Sequence, residues 1–171
     1  MNDKCKKLDI PDYLHQGARY ADQNFDSEEV LYRRFFTRIP SSEWQQDKAV
    51  STALFELKDD SYNRSKYSRE PEDVLYNERE EDKGNHYFKA GILQVAVLHA
   101  LSFSFEINGG ERSFQLLPFH KPTECIFPHS ELHIYENGIK IDYSQSKPKS
   151  LKAAIRDFLV KNCAVVKKCT A

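Results

Sequence analysis

Apolar and polar residues alternate with period two over several short stretches of the chain, and these stretches predict strands. Residues 30–36 (VLYRRFF) are rich in β-branched and aromatic side chains and are followed by Pro40, which predicts a strand. Alternation there puts Leu31, Arg33 and Phe35 on one face and Tyr32, Arg34 and Phe36 on the other, so each face carries one arginine. Residues 50–57 (VSTALFEL) read as a second strand. Residues 102–107 and 113–117 alternate cleanly on either side of Asn108-Gly109-Gly110, the signature of a hairpin, and residues 132–143 repeat the device around Asn137-Gly138.

Helical spacing is confined to fewer places. Residues 150–160 carry Leu151, Ile155, Phe158 and Leu159 on one face behind Ser150, a suitable N-cap, and predict an amphipathic helix packed on the sheet. A weaker pattern through Tyr13, Leu14, Gly17, Ala18 and Ala21 follows Pro11 and predicts a short N-terminal helix. Pro71, followed by acids, suits the first turn of a short helix over residues 71–76. The apolar segment 90–101 fits either a buried helix or a strand, and periodicity leaves both open. A polar stretch, 58–67, follows the second strand, and the charged stretch 77–85 reads as a solvated flexible loop. No internal repeat or low-complexity tract is present.

These elements predict an α+β fold: a mixed, largely antiparallel sheet with hairpins, packed by the central apolar segment and the C-terminal amphipathic helix. With 171 residues the chain suffices for one core. The expected organisation is a polar N-terminal arm with a short helix (1–27), one α+β domain (28–166) and a frayed tail (167–171). The supply of 11 Phe and 9 Tyr suits an aromatic core.

Charge then narrows the function classes. Lys+Arg (25) and Asp+Glu (26) nearly cancel, so no global field draws the protein to nucleic acid or anionic lipid. The best basic patch (Lys147, Lys149, Lys152 and Arg156) is small and diluted by Asp157, which makes nucleic acid an unfavoured partner. No run approaches the roughly 18 apolar residues that span a bilayer, and the first residues lack the apolar stretch of a signal peptide. The four cysteines, at 5, 125, 163 and 169, form no C-x-x-C pair and predict reduced thiols, which points to a cytoplasmic protein.

Candidate chemistry gathers at a few polar positions. A guanidinium fork on an early strand, Arg33 or Arg34, matches the two oxygens of a carboxylate or phosphate, with Ser51, Ser68 and Arg69 as further ligand-binding residues. The ordinary alternative is that one arginine faces solvent while the other pairs with a buried carboxylate. His129 and Glu131 share a face of an extended chain and form a candidate catalytic acid/base pair, against a structural histidine at a loop-to-strand junction. His120, His129 and His133 match no zinc spacing, so no metal is expected. Gly-rich phosphate loops and the H-E-x-x-H, G-x-S-x-G and Walker patterns are missing, so no cofactor is expected. Phe103, Phe105, Phe114 and Tyr135 read as hairpin core rather than a base-stacking platform.

In their order, Leu31-Tyr32-Arg33-Arg34, Ser51-Thr52-Ala53-Leu54-Phe55, Ser68-Arg69-Glu70-Pro71 and Phe127-Pro128-His129-Ser130-Glu131 resemble a group of small bacterial proteins. That group's pattern is a Leu-x-Arg-Arg strand, a Ser-rich segment ending in Ala-x-Phe, a Ser before an acidic/Pro stretch and a Pro-Ala-His-x-Glu motif. His129 follows Pro128 directly, without the alanine. The resemblance brings no activity with it, but implies that Arg33, Ser51, Ser68 and His129 converge. Two functions follow as expectations: a small bacterial accessory protein acting through a protein partner, in a defence or mobile-element system, or a small enzyme or anion/nucleotide-ligand-binding domain using the Arg/Ser/His cluster. The first requires an exposed apolar patch or an uncovered strand edge; the second requires one shared pocket.

Overall fold

The computed structural model describes residues 3–15, 20–36, 52, 55–57, 60–76, 78, 90–96, 101–107, 109–141 and 149–168. They form a curled antiparallel sheet of eight strands with a few short helices. The strands are β1 (Val30–Phe36), β2 (Asp60–Arg64), β3 (Ala90–Ala96), β4 (Leu101–Ile107), β5 (Gly110–His120), β6 (His129–Glu136), β7 (Ile139–Lys140) and β8 (Cys163–Lys168). Their order is β4-β5-β6-β2-β1-β3-β8, with β7 against the end of β6, and every pairing is antiparallel. The α+β expectation holds in its coarse form, with strands dominating.

Both hairpins form where the Asn-Gly signals put them. Asn137 and Gly138 both have positive φ (51° and 77°), the geometry of a type I′ turn whose twist matches the strands it joins. Gly109 also has positive φ. The segment left open, 90–101, is β3 over residues 90–96 and the start of β4 at Leu101. Its described residues therefore lie within the sheet and do not pack upon it, while residues 97–100 lie outside the described residues.

One face of the sheet is the main core. Helix α2 (Lys149–Lys161) buries Leu151, Ile155 and Leu159 at four-residue spacing against Leu31, Tyr62, Phe114, Leu116, Leu132 and Ile134. Each such buried side chain contributes about 2 kcal/mol of transfer free energy. Phe103 is stacked between Phe114 and Phe158, with centroids 5.3 and 4.6 Å away. The helix begins at Lys149, so Ser150 lies inside its first turn and is not the cap; residues 142–148 lie outside the described residues.

Four sequence expectations are corrected. First, residues 55–57 are not strand: Phe55 N–H donates to Thr52 O and Leu57 has φ +64°. The Asp60 carboxylate accepts the N–H groups of Glu56 and Leu57 and closes this turn. Second, the polar stretch 58–67 contains β2, and the tail begins only after β8, which pairs with β3 as far as Lys168. Third, the N-terminal helical pattern gives one 3-10 turn, Asp12–Leu14, preceded by helix α1 (Asp3–Lys7); residues 16–19 lie outside the described residues.

The fourth correction concerns the thiols. Cys5 and Cys125 form a disulfide, both fully buried, in a second apolar cluster with Leu8, Ile10, Leu14 and Ile126. Spacing along the chain gave no hint of it, because the partners are separated by 120 residues. The expected short helix after Pro71 is a 3-10 turn, Pro71–Leu75, with a capping box between Glu70 and Asp73.

Tyr62 is fully buried in the main core, and its hydroxyl meets no hydrogen-bond partner among the described residues. A buried hydroxyl without a partner keeps its desolvation cost. Tyr62→Phe therefore leaves stability unchanged or raises it by about 1 kcal/mol, measured by urea unfolding; a loss of that size instead would reveal a bond the hydroxyl makes.

Candidate functional site

The opposite face of the sheet carries the polar residues. In register, Tyr32 lies beside Asn63 and Asn63 beside His129, across β1, β2 and β6. Two residues along, alternation keeps Arg34 on the face of Tyr32, and Ser61, on the face of Asn63, pairs with Glu131. Long-range pairing of β2 with β6 is thus what assembles this row from segments about 70 residues apart in the chain.

Above the row is a cavity of about 300 Å³, lined by Arg34, Ser61, Asn63, Tyr76, Glu78, Thr123 and His129, with Val74 and Ile126 as apolar walls. The 3-10 turn at residues 71–75 forms one wall and is held from several sides. The buried Asp73 carboxylate accepts the Tyr13 hydroxyl at 2.5 Å and the N–H groups of Arg69 and Glu70, while its carbonyl accepts the Asn63 amide at 3.1 Å. The loop 121–128 forms the other wall, anchored by the disulfide at Cys125.

Glu78 sits where these walls meet. Burial favours its neutral acid, but bonds from the Thr123 hydroxyl, the Cys125 N–H and the Lys4 ammonium outweigh that and hold its carboxyl below the usual range. The Cys125 N–H donates at 2.7 Å and Lys4 Nζ at 2.9 Å. Glu78 is therefore a carboxylate at neutral pH, facing a cavity that also carries the Arg34 guanidinium. Arg34 Nη1 donates weakly to Leu75 O at 3.4 Å.

His129 is fixed at both ring nitrogens. Nδ1 lies 2.7 Å from the Lys121 carbonyl oxygen, an acceptor only, so Nδ1 carries the proton. In the neutral ring Nε2 is then the lone pair, 3.3 Å from Ser61 Oγ, and accepts the serine hydroxyl. Glu131 shares the face of His129 as expected, but it holds Lys121 Nζ at 2.6 Å and His133 Nε2 at 3.1 Å. Phe119 stacks on His133 at 5.0 Å.

The sequence-derived candidates thus part company. Arg34 and His129 line the cavity. Arg33, on the core face, pairs with the buried Asp60 carboxylate at 2.9 Å and lies over the Phe55 and Tyr62 rings. It joins β1 to β2. Ser68 caps a turn by donating to Arg64 O at 2.9 Å, and the Arg69 guanidinium covers the Tyr13 ring at 4.0 Å; neither lines the cavity. Ser51 lies outside the described residues.

Ser61, Asn63, Tyr76, Glu78 and Thr123 were not legible as site residues, because their segments carried no pattern. His120 is buried between the Asp22 N–H and Phe127 O, and burial lowers its pKa. Among the described residues no three His, Cys, Asp or Glu side chains are placed to hold a metal ion. No helix among them is long and apolar enough to cross a membrane.

Comparison of the chain with family models, with curated proteins and with solved structures gives no match.

Proposed function

We propose that this chain is a small-ligand-binding domain whose cavity takes an anionic molecule of few heavy atoms, such as a short carboxylate or a phosphate. The observation that carries the reading is the convergence of Arg34, Ser61 and His129, from three different strands, on one cavity of about 300 Å³. Arg34 supplies a planar fork for two anionic oxygens. Tyr76, Thr123 and Asn63 supply hydrogen-bonding groups, and Glu78 favours a ligand whose far end is a hydroxyl or an amine.

The test uses inorganic phosphate, succinate and 4-hydroxybutyrate as probes, titrated by calorimetry into the full chain and into Arg34→Gln. At least one probe binds, and Arg34→Gln weakens it about tenfold or more, the worth of a charge-assisted hydrogen bond. Equal binding by both proteins, or binding by neither, overturns the reading.

A second reading is a partner protein, as in a bacterial accessory or defence system. Among the described residues β4 and β8 pair on one side only, and Val166 on β8 is exposed. Such an edge accepts an added strand from another chain. Recovery of a stoichiometric partner that a Val166→Pro variant loses supports it. With both readings we keep a cytoplasmic address, on condition that the buried Cys5–Cys125 bridge withstands the thiol reductants of that compartment.

A further inference from the structure

We propose that Ser61 and His129 are a nucleophile and its general base, and that the cavity turns over short-chain esters bearing an anionic group; the proposal rests on the ligand-binding reading above. Three features of the geometry point to it. The Ser61 hydroxyl and His129 Nε2 are 3.3 Å apart, within the looser range that such pairs show before substrate tightens them. His129 Nδ1 is held 2.7 Å from the Lys121 carbonyl, which fixes the tautomer that leaves Nε2 basic, the task a carboxylate performs in a serine–histidine–aspartate triad. Ser61 is exposed and His129 half-buried, so a substrate in the cavity reaches both.

The imidazole is also well braced. Lys121 N–H donates to His129 O at 3.1 Å, and His129 N–H to Ile126 O at 3.4 Å. Glu131 grips Lys121 Nζ at 2.6 Å, which makes Glu131 a positioning residue acting through Lys121. Thus the motif that first singled out His129 and Glu131 contributes both, in different roles.

The reaction balances without any further reagent than water. Ser61 Oγ attacks the ester carbonyl carbon as its proton passes to His129 Nε2. The tetrahedral oxyanion collapses, the bond from carbon to the alcohol oxygen breaks, and the alcohol leaves with the proton from Nε2. Water then attacks the acyl-serine, giving a proton to Nε2 that returns to Ser61 Oγ as the acid departs. Arg34 holds the anionic group of the substrate and so sets which esters enter.

The experiment treats the full chain with a small fluorophosphonate, whose phosphorus bonds to a nucleophilic serine oxygen as fluoride leaves, and with mono-4-nitrophenyl succinate, an activated ester that carries a free carboxylate. Intact-mass and peptide-mass measurements locate the adduct. The wild type gains one phosphonyl group at Ser61, Ser61→Ala gains none, and His129→Gln is labelled at least about a hundredfold more slowly, the usual worth of a general base. Ser68→Ala, whose serine serves a turn outside the cavity, labels like the wild type. Circular dichroism and melting confirm that each variant is folded; where His129→Gln is not, His129→Asn replaces it. Wild type unreactive to both probes, an adduct elsewhere, or equal rates with and without the imidazole overturns the proposal. Phosphate or carboxylate binding by the wild type separates the two readings: binding without labelling removes the dyad and leaves the pocket, and the absence of both removes both.

Discussion

Arg64→Ala lowers the free energy of unfolding by about 3–5 kcal/mol, the range for breaking a buried ion pair by removing one partner. Arg64 is fully buried on β2 and carries its charge into the interior. Its Nε and Nη2 donate to the two oxygens of Glu29 at 2.5 and 2.8 Å, and Nη1 and Nη2 donate to the carbonyls of Asp22 and Asn24, each at 2.5 Å. The Phe25 ring covers the guanidinium at 3.8 Å. One side chain therefore fastens residues 22–29 to the sheet, and its loss leaves the Glu29 carboxylate buried without its counter-charge. Arg64→Lys recovers little, because a single ammonium does not reproduce a planar fork with four acceptors around it. Glu29→Gln combined with Arg64→Met is less damaging than Arg64→Ala alone, since no uncompensated charge remains. Urea unfolding of the three variants checks the order; a loss below 1 kcal/mol for Arg64→Ala shows that the segment finds other support.

How much of this was legible in the sequence depends on the range of the force involved. The Asn-Gly hairpins, β1 and α2 rest on local turn chemistry and on apolar periodicity, and the chain displays both. The strand β2 was hidden because it is short and polar, DSYNR, yet buried on both faces. Its burial comes from Tyr62 and Arg64 on the core face, the first in the main apolar cluster and the second against Glu29, and from Asn63 on the other face, whose amide reaches Asp73 O. Only those tertiary partners make a polar strand stable, and a local pattern cannot announce them. The paired arginines show the same limit. Alternation assigned Arg33 and Arg34 to opposite faces, which is right, but which face is core follows from α2 packing beside Leu31. Ser61 entered the site solely through the register of β2 against β6.

Removal of the Cys5–Cys125 bridge is the second large effect. In the chain-entropy account a cross-link between residues 120 apart restrains much of the unfolded ensemble, and the expected loss for Cys5→Ser with Cys125→Ser is about 2–5 kcal/mol. Wild type unfolded in the presence of a phosphine reductant falls to the same midpoint, whereas Cys163→Ser, which touches no bridge, does not move it. The effect also reaches the cavity. Cys125 N–H holds Glu78, and the bridge ties α1, with Lys4 beside Glu78 and Glu124, to the loop that carries Thr123 and Ile126. Reduction therefore weakens binding of an anionic probe in the native protein, at denaturant concentrations where the sheet is still folded. Equilibration with glutathione couples this to location. A structural bridge with a potential well below the glutathione pool stays closed in a reducing cytosol, and its burial denies a thiolate the approach that exchange requires. If the bridge opens at that poise instead, a cytoplasmic protein would work with its pocket wall unfastened, and the intact wall would belong to an oxidising compartment.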